Sequence, residues 1–237
     1  MDNKTKISPY SAGVDLIFVL GTLFSLKWSL LQFDLMWTFA GPISLIASLC
    51  VATWRLRKNS ETWKSLGLSH NTSHLNLILW TLGALVATIA LGNIAEAMAN
   101  SIIAESSNSN TGVQNVMANR FENIPGNFTV YAYGLVVAWV IGGFTEELLF
   151  RGFMINRFEK ALNKFPFAVF FAVVFQALIF GQQHMYYQGV LGLVATGMIG
   201  LISGLIYLLC KRRLLPLIIS HGLANTLGLT MLYLGQQ

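Results

Sequence analysis

The chain has 237 residues, 54% of them hydrophobic and only 11% charged, with a formal net charge of +5. Soluble domains carry about 25% charged residues, so this composition excludes an ordinary soluble domain and points to a membrane. The positive charge needs no nucleic acid to explain it if the basic residues gather in one set of loops. The two cysteines, Cys50 and Cys210, both lie in apolar runs and read as buried small hydrophobes rather than a disulfide or metal site.

A transmembrane helix needs about 20 apolar residues. The first candidate covers residues 16–33 and is interrupted by Lys27, which leaves a tilted or interfacial helix open. It lacks a small-residue cleavage site, so it does not read as a secretory signal. A second span over 35–54 is closed by Arg55-Leu56-Arg57-Lys58. The polar segment 59–74 contains Trp63-Lys64-Ser65-Leu66-Gly67-Leu68, which reads as interfacial, and His70 and His74, which read as solvated. A third span covers 75–93. In the connection 94–127, Ile94, Met98 and Ile102 suggest a surface amphipathic helix, and Ser106-Ser107-Asn108-Ser109-Asn110 a mobile loop.

The fourth span runs from 128 to about 158, the fifth over 166–183 and the sixth over 189–210. The sixth holds Gly200-Leu201-Ile202-Ser203-Gly204, a small-xxx-small face for close helix packing. The seventh covers 214–234. The expected fold is an all-α membrane protein: one polytopic domain over 1–237, about seven transmembrane helices, and a motif-bearing core at about 128–235. With a cytoplasmic N-terminus and seven crossings, the basic residues of the 55–64, 157–164 and 211–213 loops, with Lys4 and Lys6, face the cytoplasm. Lys27 and Arg120 fall towards the other side, in keeping with the positive-inside rule.

Gly142-Gly143-Phe144-Thr145-Glu146-Glu147-Leu148-Leu149-Phe150-Arg151-Gly152 places two carboxylates and an arginine in a segment otherwise as apolar as lipid. Each intramembrane charge costs roughly 2.5–3.5 kcal/mol on insertion scales, so three in six residues call for a reason. On an α-helix Glu147 and Arg151 share a face and neutralise each other, while Glu146 points about 100° away without a local counter-ion. His184 closes Phe180-Gly181-Gln182-Gln183-His184, and His221 and Asn225 share a helix face. Any one of these alone reads as a satisfied interhelical hydrogen bond; their conjunction on three apolar helices reads as a site. By helical rise, Glu146 lies ~18 Å from an inner end at Phe158, and His221 and Asn225 lie ~10 Å and ~16 Å from Leu214. His184, ~27 Å from Pro166, fits less well and asks for a tilted or broken fifth helix.

Glu146-Glu147-x-x-x-Arg151, Phe180-x-x-x-His184 and His221-x-x-x-Asn225 together resemble the CAAX-protease and bacteriocin-processing family of intramembrane endopeptidases. The resemblance covers roughly 130–234; the N-terminal half carries no motif. It implies hydrolysis of a peptide bond within the membrane, with Glu146 as general base and His184 helping to hold the attacking water. Glu147 and Arg151 would fix the electrostatics of the helix, and His221 and Asn225 would donate to the oxyanion. The family has also been classed with metalloproteases, and Glu146, His184 and His221 could supply ligands to a divalent metal such as zinc. No His-Glu-x-x-His is present, which favours a metal-independent mechanism. The implied partners are the lipid bilayer and a hydrophobic or lipidated peptide or protein. Two rival readings are a non-catalytic bacteriocin self-immunity or scaffold protein and, with no internal repeat to support it, a proton-coupled transporter.

Overall fold

A computed structural model describes residues 7–69, 73–104 and 121–235. His70, the Ser106–Asn110 tract, Arg120, Lys4 and Lys6 lie outside the described residues. Among the described residues the chain is helical, without strands. The helices are α1 (Pro9–Leu30), α2 (Ala40–Lys58), α3 (His74–Ala104), α4 (Phe128–Ala161), α5 (Ala168–Leu209) and α6 (Leu215–Tyr233). All but α2 are long and apolar enough to cross a membrane. Lipid cannot hydrogen-bond a bare backbone, so apolar segments of this length satisfy their peptide groups internally as helices. Local signals fix their starts: Ser8 accepts from Ser11 N ahead of Pro9, and Asn127 accepts from Val130 N.

α5 is not one straight rod. Gly189 adopts φ 61° and ψ −153°, a conformation that suits glycine, and the chain doubles back there. Gly181 packs on Gly197, Phe180 and Ala177 on Gly200, and Gln176 and Val173 on Gly204. Gln176 Nε2 ties the halves by donating to Gly200 O at 2.8 Å. The two apolar segments expected at 166–183 and 189–210 are the two antiparallel halves of this hairpin, packed through the small-residue face of the second. Among the described residues, five helices long and apolar enough to span, one of them doubled, stand where seven separate ones were expected.

Several local expectations change. α3 runs unbroken through Ala104, so the segment expected to lie on the surface as a separate amphipathic helix continues the third span. The Trp63–Leu66 turn is anchored to the bundle at both ends: Leu66 is buried, its carbonyl accepts from Tyr207 Oη at 2.9 Å, and Trp63 Nε1 donates to Thr53 Oγ1 at 3.0 Å, while Lys64 and Ser65 are exposed. Gly67, at φ 108°, passes so close to Arg212 that a Cβ would overlap its carbonyl. Cys210 is buried, whereas Cys50 is exposed on the outer face of α2, where apolar character suits the surroundings as well as the interior; both are free thiols. His74 is exposed, as expected.

A buried ionic cluster holds the N-terminal helices to the end of α4. Asp15 accepts from Arg55 Nε, from Arg157 Nε at 2.8 Å and from Asn59 Nδ2 at 2.8 Å. Arg157 also pairs with Glu61 and donates to Asn156 Oδ1 at 2.6 Å. Lys160 Nζ reaches Glu61 at 2.8 Å. Asp15 and Arg157 are fully buried. Arg157 is thus a core residue and not a loop charge.

Candidate active site

α4 is α-helical at both ends but π-helical from Ala138 to Met154, and this stretch carries Glu146, Glu147 and Arg151. Thr145 Oγ1 donates to Val140 O at 2.8 Å, five residues back, in keeping with the i→i+5 spacing. The wider turn changes the side-chain register expected from α-helical geometry. Both glutamates now reach the same imidazole. Glu147 Oε1 lies 2.8 Å from His221 Nδ1, and Glu146 Oε2 lies 3.9 Å from His221 Nε2. Glu147 also keeps the expected pair with Arg151, Nη1 to Oε1 at 3.2 Å.

Glycines bring α6 against this stretch. A Cβ at Gly142 would lie 2.5 Å from Asn225 Nδ2, and one at Gly143 would lie 3.1 Å from Ile218 O. On the other side a Cβ at Gly222 would meet the Trp139 ring at 2.5 Å. Such approach leaves room for polar side chains from both helices to meet across the interface. Asn225 Nδ2 makes one long bond, 3.5 Å, to Ala138 O.

His184 arrives from the first half of α5. Its Nδ1 lies 2.9 Å from Phe180 O. A carbonyl only accepts, so Nδ1 carries the proton and Nε2 presents its lone pair. Counted from the observed helix ends the depth mismatch narrows: α4 continues to Ala161, which sets Glu146 deeper, and α5 starts at Ala168, which sets His184 ~24 Å in. At the start of α6 Leu214 packs on Gly152, in the C-terminal part of α4, and His221 stands at the level of Glu146.

Glu146, Glu147, His184, His221 and Asn225 line one cavity of about 1070 Å³. From this polar end it extends past Thr88 and Asn93 of α3 towards Ile124 and Leu232. Arg151 lies behind the wall, fully buried, with its guanidinium 4.5 Å from the centroid of Phe180. Glu147 Oε2 and all three Arg151 nitrogens lack a hydrogen-bond partner of good geometry, so the 3.2 Å approach is an ion pair by proximity only. Among the described residues no group of three or more His, Cys, Asp or Glu side chains is gathered as metal ligands would be.

Two residues near the site were given no part in it from the sequence. Gln183, beside His184, is buried and lines the cavity. Lys27, read as a flaw in the first span, is buried and donates to Gln183 O at 2.7 Å and Gln183 Oε1 at 3.0 Å. Its signal was the one that marked the glutamates: a charge inside an apolar span. Ser220, beside His221, donates to Leu217 O at 3.0 Å.

Residues 128–227 match the family model described as type II CAAX prenyl endopeptidase Rce1-like, the family that the three motifs resemble. A protein of Escherichia coli described as an uncharacterized 24.3 kDa protein is 30% identical over 95 residues. That match covers 40% of this chain and 42% of the relative, so the chain spans less than half the length of the curated protein it matches. No solved structure matches. With its apolar helices, the chain is an integral membrane protein.

Proposed function

We propose that this chain is an intramembrane endopeptidase that hydrolyses a peptide bond in a hydrophobic or lipidated peptide with water activated by Glu146. The observation that carries the reading is the convergence of Glu146, His184, His221 and Asn225, from three helices, on one wall of one cavity. Water held by His184 Nε2 gives a proton to the Glu146 carboxylate, and its oxygen bonds to the scissile carbonyl carbon. The carbonyl electron pair moves to oxygen. Asn225 Nδ2 and His221 Nε2 donate to that oxyanion, while Glu147 accepts from His221 Nδ1; preorganised donors of this kind contribute about 3–4 kcal/mol in a water-poor site. As the C–N bond breaks, protonated Glu146 returns its proton to the leaving amine. Arg151 stands behind Glu147 as its ion-pair partner.

Each step of this mechanism is assigned to the chain's own side chains. Chelator treatment is accordingly expected to leave peptide release unchanged, and loss of activity restored by zinc would reverse that part of the mechanism. With basic residues that are not themselves buried, Arg57, Lys58, Lys64, Lys160, Lys164 and Lys211, in the cytoplasm, the N-terminus is cytoplasmic too.

The test is a comparison of peptides released from cells making the wild-type protein or Glu146→Gln at matched levels. Peptides that appear only with the intact carboxylate support the reading and identify the substrate. Identical peptide sets, with any phenotype of the wild type still provided by Glu146→Gln, would favour a non-catalytic peptide-binding role.

A further inference from the structure

We infer that Lys27, in the motif-free N-terminal half, is a positioning residue that seats His184 by holding the α5 chain at Gln183. The inference rests on the reading of the cavity as a peptidase site.

Lys27 is 5% exposed and sits deep in the bundle near the C-terminal end of α1. Among the described residues its ammonium forms no ion pair. Both of its hydrogen bonds go to one neutral residue, the backbone and side-chain oxygens of Gln183, and the ammonium stands 4.2 Å from the centroid of the Tyr186 ring. A buried cation with only neutral partners is a poor device for stability, since an apolar side chain of similar volume fills the space without desolvating a charge. The arrangement makes sense if the grip itself is needed. Gln183 immediately precedes His184, and five residues after His184 the helix breaks at Gly189, so this is the last stretch of the first half of α5 before the chain turns. Helix ends beside a break open most readily. A cation on carbonyl oxygens near that C-terminal end also interacts favourably with the helix dipole.

His184 depends on this segment in two ways. Its Nδ1 is tied to Phe180 O in the preceding turn, and its ring packs against Phe180 and Tyr187, centroids 4.8 and 5.7 Å away. Tyr186 is pinned from the N-terminal side as well: Trp37 meets it edge-on at 5.3 Å, and Gly41 is so close that a Cβ would lie 2.8 Å from its hydroxyl. Lys27 does not line the cavity, and acts through Gln183.

The deciding experiment measures backbone amide exchange over residues 180–192 in detergent-solubilised wild type, Lys27→Met and Lys27→Arg. It is paired with turnover on the peptide identified by comparison with Glu146→Gln. Lys27→Met should speed exchange in this segment at least about 10-fold. It should lower kcat by about 10- to 100-fold with KM within about twofold, as expected for a misplaced water-holding group. Lys27→Arg, which keeps the cation and its donors, should restore most of both. Wild-type exchange in Lys27→Met overturns the inference whether or not the protein cleaves peptides; faster exchange with unchanged kcat overturns the link to catalysis. Faster exchange in a protein whose wild type releases no peptide would keep the tether and reject the peptidase reading. Should Lys27→Met not fold, Gln183→Leu, which removes one of the two acceptors, replaces it in the same comparison.

Discussion

Two clusters of buried charge lie in this bundle, and they differ in how completely they are satisfied. In the Asp15, Arg55, Glu61 and Arg157 cluster, each carboxylate oxygen of Asp15 and each nitrogen of Arg157 has a partner. In the Glu146, Glu147, Arg151 and His221 cluster, Glu147 Oε2 and the whole Arg151 guanidinium have none of good geometry, and Glu146 stands 3.9 Å from its nearest imidazole nitrogen. The first cluster is closed among α1, α2 and the end of α4. The second faces a cavity. Leaving buried polar groups unpaired costs about 1–3 kcal/mol each, more for charges, so a fold that tolerates it holds those groups ready for something else. On the proposed reading the closed cluster is architecture, and the open one is chemistry.

Substitutions in the two clusters should therefore fail in different ways. The largest effect is expected of Glu146→Gln, which should lower peptide release by about 10²- to 10⁴-fold while leaving the thermal unfolding midpoint in detergent near that of wild type. A drop in midpoint to match the lost activity would erase the distinction between the clusters. Asp15→Ala should do the reverse. It leaves Arg157 and Arg55 without their shared carboxylate and should cost about 3–5 kcal/mol of stability, read by denaturant unfolding, with turnover per folded molecule retained.

Gly142→Ala sharpens the comparison, since its new Cβ would sit 2.5 Å from Asn225 Nδ2. Overpacking there should cost about 1–3 kcal/mol and lower turnover as well, because the atom it displaces is an oxyanion donor on this reading. Unchanged turnover in a stable Gly142→Ala protein would remove Asn225 from the mechanism. The smallest effect is expected of Glu159→Gln. Its bidentate pair with Arg212 is partly exposed, so its loss should change stability by about 0–1 kcal/mol and leave turnover unaltered.

The open cluster was the more legible of the two in the sequence. Glu146, Glu147, Arg151, His184, His221 and Asn225 stand out because polar groups are rare in apolar runs, and their order along the chain is enough to suggest a family. The closed cluster was invisible for the opposite reason. Asp15 and Arg157 are 142 residues apart and lie near helix ends, where charges are ordinary. The π-helical stretch of α4 left no mark in composition, and without it the α-helical register wrongly separates Glu146 from the imidazole that Glu147 holds. Cys50 was placed in the interior because an apolar run does not tell which face of a membrane helix looks outward. Lys27 was noticed and set aside, since its meaning depends on Gln183, which only the fold brings to it.

The central claim is that the open cluster activates water. The most direct test is to incubate membranes carrying wild type or Glu146→Gln in water enriched in oxygen-18 and to measure the carboxyl ends of newly released peptides. Hydrolysis at this site predicts one heavy oxygen in each new carboxylate with the wild type and no such products with Glu146→Gln. Equal yields of labelled products from both would contradict it.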